Sequence, residues 1–218
     1  MSLIQTAVGA PAVSSFADGS QPNLLGGKQG EAVVSELHGK FYTQAVRGNL
    51  FVGTQAAAGA VIPIYSNTTQ QCGLLNPSGS GVNVVPVRLN IGYVSTTAAA
   101  GSFAIGYITA GGGLIATGGK GVTAATTATG INANLLGPNS KAIFMSAAIT
   151  TVAPGLLMQI GVNQLVTTAA DATNVYFDGK YAFDGTLIVP QGCGIFVAGN
   201  IALLQTVTCS VVWEEVPA

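Results

Sequence analysis

The chain has 218 residues, of which 49% are hydrophobic and only 7% are charged, with a formal net charge of −1. An ordinary soluble domain carries about 25% charged residues, so this is an apolar, almost uncharged chain. That profile excludes general disorder, which needs low hydrophobicity and high net charge. It also excludes nucleic-acid binding through a basic stripe, because 7 bases are balanced by 8 acids. No acid lies between Glu36 and Asp171, where the bases are Lys40, Arg47, Arg88, Lys120 and Lys141. A surface so neutral is expected either to meet another subunit or to belong to a rigid, sparingly solvated particle, since charge is what normally keeps folded chains apart.

Residues 1 to about 30 are rich in Gly, Ser, Pro and Asn and follow neither strand nor helix periodicity. They are expected to form an extended N-terminal arm. The opening MSLIQTAVGAPAVSSF has no basic n-region, so no secretory signal is expected. In EAVVSELHGKFYTQAVR, Val33, Val34, Leu37, Phe41 and Ala45 roughly follow helical spacing around Gly39. A short broken helix and an extended entry into the first strand both fit this stretch. Residues 1–47 are therefore set apart as arm and entry segment, and 48–218 as the folded domain.

From Gly48 the texture becomes that of strands. GNLFVGT, AVIPIYS, VNVVPVRLNIGYVST, SFAIGYITA, KAIFMSAAI, TNVYFDG, GTLIVPQG, CGIFVAG and LLQTVTCSVVWEEV are rich in β-branched and aromatic residues, and Gly, Pro or Asn bounds most of them. Strict alternation predicts one face of Val82, Val84, Pro86, Arg88, Asn90 and Gly92 against another of Val85, Val87, Leu89, Ile91 and Tyr93. A second alternation sets Thr206, Thr208 and Ser210 against Val207, Cys209, Val211 and Trp213. About eight or nine such strands imply an all-β sandwich or barrel. The uncharged run Ala142 to Val162 is long enough to cross a bilayer. Pro154-Gly155 at its middle predicts two strands joined there instead. The Gly/Ala/Thr-rich stretch 111–137, with Lys120 its one charge, is expected to pack on a partner subunit, low-complexity disorder being the competing reading.

Catalytic patterns are missing. NPSGSG, before a long strand, lacks the lysine and the following helix of a phosphate-binding loop and is expected to be a turn. The single histidine, His38, has no GxSxG elbow to serve. Cys72, Cys193 and Cys209 have no CxxC spacing and are expected to be reduced. Asp171, Asp178 and Asp184 do not follow calcium-loop spacing. Glu214-Glu215 is read as the charged finish of an edge strand. No catalytic residue, cofactor or metal site is expected, nor a membrane partner.

The segment GEAVVSELHGKFYTQAVRGNLF, Gly30 to Phe51, together with the C-terminal SVVWEEVP, resembles structural proteins of tailed-bacteriophage virions. The matching residues are Gly30, Glu31, Glu36, Leu37, His38, Gly39, Lys40, Phe41, Tyr42, Arg47, Gly48, Asn49 and Phe51, then Trp213, Glu214 and Glu215. The likeness covers both ends and fades over residues 100–170. It implies a capsid cement (decoration) protein: a jelly-roll-like antiparallel β-sandwich, homotrimeric, bound to the major capsid protein on the virion surface and assembled in the host cytoplasm. A head-fibre, baseplate or tail β-protein with receptor or glycan contact is the alternative, with Tyr176, Phe177, Tyr181 and Phe183 as stacking aromatics. Interface residues are expected to include Leu24, Leu25, Glu36, His38, Phe41, Tyr42, Arg47, Lys120 and Trp213.

Overall fold

The structure is a computed structural model that describes residues 6–8, 24–26, 39–55, 58–67, 69–95, 101–109, 128–129, 131–146, 149–150, 155–165, 175–176, 179–201 and 206–218. The chain divides into two compact units, Met1–Tyr42 and Thr43–Ala218. In the first, β1 (Thr6–Val8) and β2 (Leu24–Gly26) pair in parallel, with Ala7 opposite Leu25. The helix α1 (Tyr42–Val46) spans the division.

The second unit is an all-β sandwich of two antiparallel sheets. In chain order its strands are β3 (Leu50–Thr54), β4 (Ala60–Val61), β5 (Thr69–Gln70), β6 (Gly73–Leu75), β7 (Val82–Ser95), β8 (Gly101–Ile108), β9 (Ala128–Thr129), β10 (Ile131–Asn132), β11 (Ile143–Met145), β12 (Ile149–Thr150), β13 (Gly155–Leu165), β14 (Val175–Tyr176), β15 (Lys180–Ala182), β16 (Gly194–Gly199) and β17 (Thr206–Pro217). The first sheet runs β10-β3-β17-β7-β15, with β4 also on β17. The second runs β14-β13-β8-β16-β6-β11-β9, and β5 and β12 form a separate ribbon.

The core lies between the sheets. Phe51, Leu89, Ile91, Val207, Cys209, Val211 and Trp213 from the first meet Leu74, Phe103, Ile105, Phe144, Ile195 and Val197 from the second. The alternation expected for β17 holds, with its even residues half-buried and its odd ones buried from Val207 to Glu215. In β7 strict alternation fails. Val82, Val84, Leu89 and Ile91 are all buried. The reason is a bulge: Val212 pairs with Arg88 but Trp213 pairs with Pro86, so Val87 is an extra residue. One inserted residue exchanges the two faces. It also accounts for a proline inside a long strand, which sheets tolerate at bulges.

The second sheet is apolar on both faces. Leu75, Ile108, Met145 and Phe196 form a further buried cluster with Ile143. Leu75 and Phe196 are chain neighbours of the inter-sheet residues Leu74 and Ile195, so they point the other way.

NPSGSG is a turn, and it carries the chain from one sheet to the other, from β6 to β7. Ser80 N–H donates to the Pro77 carbonyl at 3.2 Å, and Gly79 and Gly81 have φ of 78° and 75°. Buried Asn76 secures it, donating from Nδ2 to the carbonyls of Val82 (2.8 Å) and Val189 (2.9 Å). Ser80 Oγ donates to Asn76 Oδ1 at 2.6 Å. These polar groups are committed inside the fold, as a structural corner requires. GTLIVPQG, expected as a strand, is loop with a single bridge from Val189 to Val84. Its apolar residues Leu187 and Val189 pack on the core without joining a ladder.

Candidate interaction site

The RGNLF and WEE segments, far apart in sequence, lie side by side. β3 follows the RGN segment and pairs along β17, with Phe51 opposite Trp213 and Leu50 opposite Glu214. The Phe51 and Trp213 rings stack at 6.1 Å between centroids. Glu215 N–H donates to the Asn49 carbonyl at 2.9 Å.

RGN is a helix terminator. Asn49 N–H reaches back to the Gln44 carbonyl at 3.0 Å and Gly48 N–H to that of Ala45 at 3.0 Å. With Gly48 at φ 75° this is a Schellman cap, which requires a left-handed residue that glycine supplies without strain. The cap ends α1 and aims the chain into β3.

WEE does something different from the expected edge finish. β17 lies between β3 and β7, so Glu214 and Glu215 sit on an interior strand. Glu215 is 6% exposed. Its carboxylate accepts from Ser140 Oγ at 2.5 Å, from Lys141 N–H at 2.9 and 3.1 Å, and from Ala142 N–H at 2.9 Å. Trp213 Nε1–H adds a longer bond at 3.4 Å. A buried carboxylate with that many donors is satisfied, and it clamps the base of the loop from β10 to β11. Burial pushes the Glu214 carboxyl above the usual range, and the Arg47 guanidinium partly draws it back.

That loop is built from within as well. Buried Asn132 donates from Nδ2 to the Gly48 carbonyl at 2.7 Å and to that of Pro138 at 3.0 Å, and its Oδ1 accepts from Asn134 N–H at 2.9 Å. Ala133 N–H donates to the Leu50 carbonyl at 2.8 Å. Gly137 N–H closes a turn on the Asn134 carbonyl at 2.6 Å. A side chain at Gly137 would strike Asn132, whose Cγ lies 2.5 Å from where a Cβ would stand. At the tip of this fixed loop stand Leu135 and Leu136, 84% and 98% exposed. Ile131 and Val46, at the same corner, are exposed too. Turn tips are usually Gly, Asn, Asp, Ser or Pro; two leucines held in water by a clamped loop stand out as an exposed apolar pair.

Of the expected interface residues, Tyr42 and Arg47 are exposed and Phe41 is half-buried. Lys40 sits over the Phe41 ring, 5.3 Å from its centroid. Trp213 corrects the expectation: it is wholly buried, the floor of the corner and not its surface. Leu24 and Leu25 are backbone positions of β2. Glu36, His38 and Lys120 lie outside the described residues, as does most of the 111–137 stretch. The leucine pair was missed as a site, although LL between Asn134 and Gly137-Pro138 is a readable anomaly.

Other chemistry finds little footing. Cys72, Cys193 and Cys209 are free thiols. Cys72 Sγ donates to Gln55 Oε1 at 2.9 Å. The Cys209 thiol is pushed well above its ordinary range, first by its hydrogen bond with Cys72 and then by burial. Among the described residues no group of three or more His, Cys, Asp or Glu could hold a metal, and no helix is long and apolar enough to cross a membrane. Of the stacking aromatics, Phe183 is buried against Tyr181, ring edge to face at 5.0 Å, and Tyr181 Oη donates to Met158 Sδ at 3.3 Å. Phe177 and the Tyr176 side chain lie outside the described residues. The chain matches no protein-family model, no curated protein and no solved structure.

Proposed function

We propose that this chain is a structural protein of a tailed-bacteriophage virion that binds the outside of the capsid and stabilises it. In this reading the sandwich is a jelly-roll-like module that works as a homotrimer, and its partners are its own copies and the major capsid protein. The observation that carries it is the Leu135–Leu136 pair, 84% and 98% exposed on a loop clamped by Glu215 and Asn132. Of the residues that resemble phage virion proteins, Gly48, Phe51, Trp213 and Glu215 lie at this corner, which suits them to an assembly role without any reaction. The low charge supports the same reading, because uncharged faces become stable when covered. Burial returns about 25 cal/mol per Å² of apolar area, and repetition over a shell multiplies modest contacts into mechanical resistance.

The alternative, a fibre, baseplate or tail protein that binds glycans, is weakened by the use of Tyr181 and Phe183 in packing. The test is addition of the full chain to expanded, undecorated phage capsids, followed by pelleting and by a heat-release assay for packaged DNA. Saturable co-pelleting and a raised release temperature are expected. Absence of binding, or glycan binding lost on Tyr181→Ala, would overturn it.

A further inference from the structure

Cys72 and Cys209 come from opposite sheets and meet in the space between them. Cys209 is on β17, where the odd residues point into the core. Cys72 directly precedes β6 and continues its ladder. Its N–H donates to the Met145 carbonyl at 3.1 Å, and its carbonyl accepts from Val197 N–H at 3.0 Å. It therefore belongs to the second sheet, between β11 and β16.

Gln55 ties the two cysteines together. Thr54 ends β3 opposite Ser210, so the next residue falls beside Cys209. Gln55 N–H donates to the Cys209 carbonyl at 2.9 Å, and Gln55 Oε1 accepts from Cys72 Sγ at 2.9 Å. The two thiols are themselves hydrogen-bonded neighbours. All three residues are buried. The backbone of Cys72 is unusual as well. Its φ is 54°, and among the described non-glycine residues only Asp184 shares that sign. A left-handed cysteine is strained backbone, and the strain falls where its sulfur meets a second one.

We propose that Cys72 and Cys209 are a dithiol that a peroxide converts into an inter-sheet disulfide, locking the folded sandwich. Peroxide takes one thiol to a sulfenic acid and releases a water. The sulfur of the other thiol then displaces the sulfenic oxygen, which leaves as a second water. The two sulfurs together lose two electrons, and the peroxide oxygens gain them. Both sulfurs are buried, so the oxidant is one of nearly water's size or enters with local opening. Disulfides between sheets are an established device of β-sandwiches. A bridge from Cys72 to Cys209 closes a long loop, the case in which chain entropy gains most. Gln55 Oε1 loses its thiol donor in exchange, a smaller effect. In a reducing compartment the pair stays a dithiol. A chain that folds reduced and later meets an oxidant is stiffened after folding. The lock concerns the chain's own sulfurs and stands apart from the shell role.

The test uses the full chain with Cys193→Ser, which removes the half-buried third thiol. The native protein is treated with hydrogen peroxide, then unfolded, alkylated with iodoacetamide and weighed by intact-mass spectrometry. The expected product has lost two hydrogens, takes up no alkyl group, and yields a peptide joining Cys72 to Cys209 within one chain. Its Tm is expected to rise by about 5–15 °C. Dithiothreitol is expected to separate the peptide and restore the starting Tm, which it cannot do for oxidised methionine. Cys72→Ala and Cys209→Ala, checked for folding by circular dichroism, are each expected to lose the rise in Tm. If either fails to fold, the linked peptide in the parent chain still decides. Both thiols surviving peroxide, sulfinic acids without a cross-link, a bridge found only between two chains, or a bridge that leaves Tm unchanged or lower would overturn the lock.

Discussion

Glu215→Ala tests whether the C-terminal acid pair is structural. The substitution removes the acceptor of Lys141 and Ala142 N–H, of Ser140 Oγ and, at longer range, of Trp213 Nε1–H. Hydrogen bonds to a charged group contribute about 1.5–3 kcal/mol each, and stranding buried donors adds desolvation cost. These bonds share one carboxylate, so their losses do not sum. The expected cost is about 3–5 kcal/mol, the range for removing one partner from a buried charged network. For a domain of this size that is a fall of about 10–15 °C in Tm. Glu215→Gln keeps an acceptor oxygen but turns an NH2 toward one donor, and is expected to cost about 1–2 kcal/mol. Urea unfolding at fixed protein concentration measures both. Limited proteolysis adds a local readout, because the clamp holds the loop base: cleavage within 131–142 is expected to accelerate in Glu215→Ala well below the unfolding midpoint. An alanine variant within about 1 kcal/mol of wild type, with the loop no more cleavable, would refute the clamp.

Three further outcomes follow from the same packing. A Cβ at Gly53 would stand 2.4 Å from Phe144 Cγ on the facing sheet, so Gly53→Ala is expected to cost about 1–3 kcal/mol in urea unfolding. Thiol labelling is expected to reach Cys193 first, leaving Cys72 and Cys209 unmodified at pH 9 until denaturant is added, because both are buried and the Cys209 thiolate is disfavoured. Rapid labelling of Cys209 in the native protein contradicts this. Glu214 has a folded-state pKa raised above its ordinary value of 4.5, by burial. The native state therefore holds its proton more tightly than the unfolded chain, and the group's contribution falls as pH rises from 4.5 through the folded value. Glu214→Gln is expected to match wild type at pH 3 and to be the more stable at pH 7, by melts at both.

The all-β class was legible because strand composition and turn punctuation are local. Thr206 to Val211 alternates polar and apolar, and the burial of β17 keeps that alternation through to Glu215. VNVVPVRLNIGYV alternates as well in sequence, yet the chain inserts Val87 as a bulge; that choice is made by pairing with β17, more than a hundred residues away, and leaves only Pro86 as a local trace. Non-local pairing explains the second error too. A pair of acids near a C-terminus looks like a blunted edge, and only the placement of β17 between β3 and β7 turns Glu215 into an internal clamp. The RGN and WEE segments were visible as motifs, but their adjacency was not. The candidate site was half visible: the stretch ending at Gly137 stood out by composition, while the leucine pair within it draws its interest from an exposure that no sequence prints.

The central claim is that this sparsely charged sandwich is completed by contact with other copies through its exposed apolar surface. Sedimentation velocity of the full wild-type chain, over a dilution series through the micromolar range, tests it most directly. A discrete closed oligomer that dissociates on dilution is the predicted result. A single monomeric species that stays soluble across the whole series would contradict the claim.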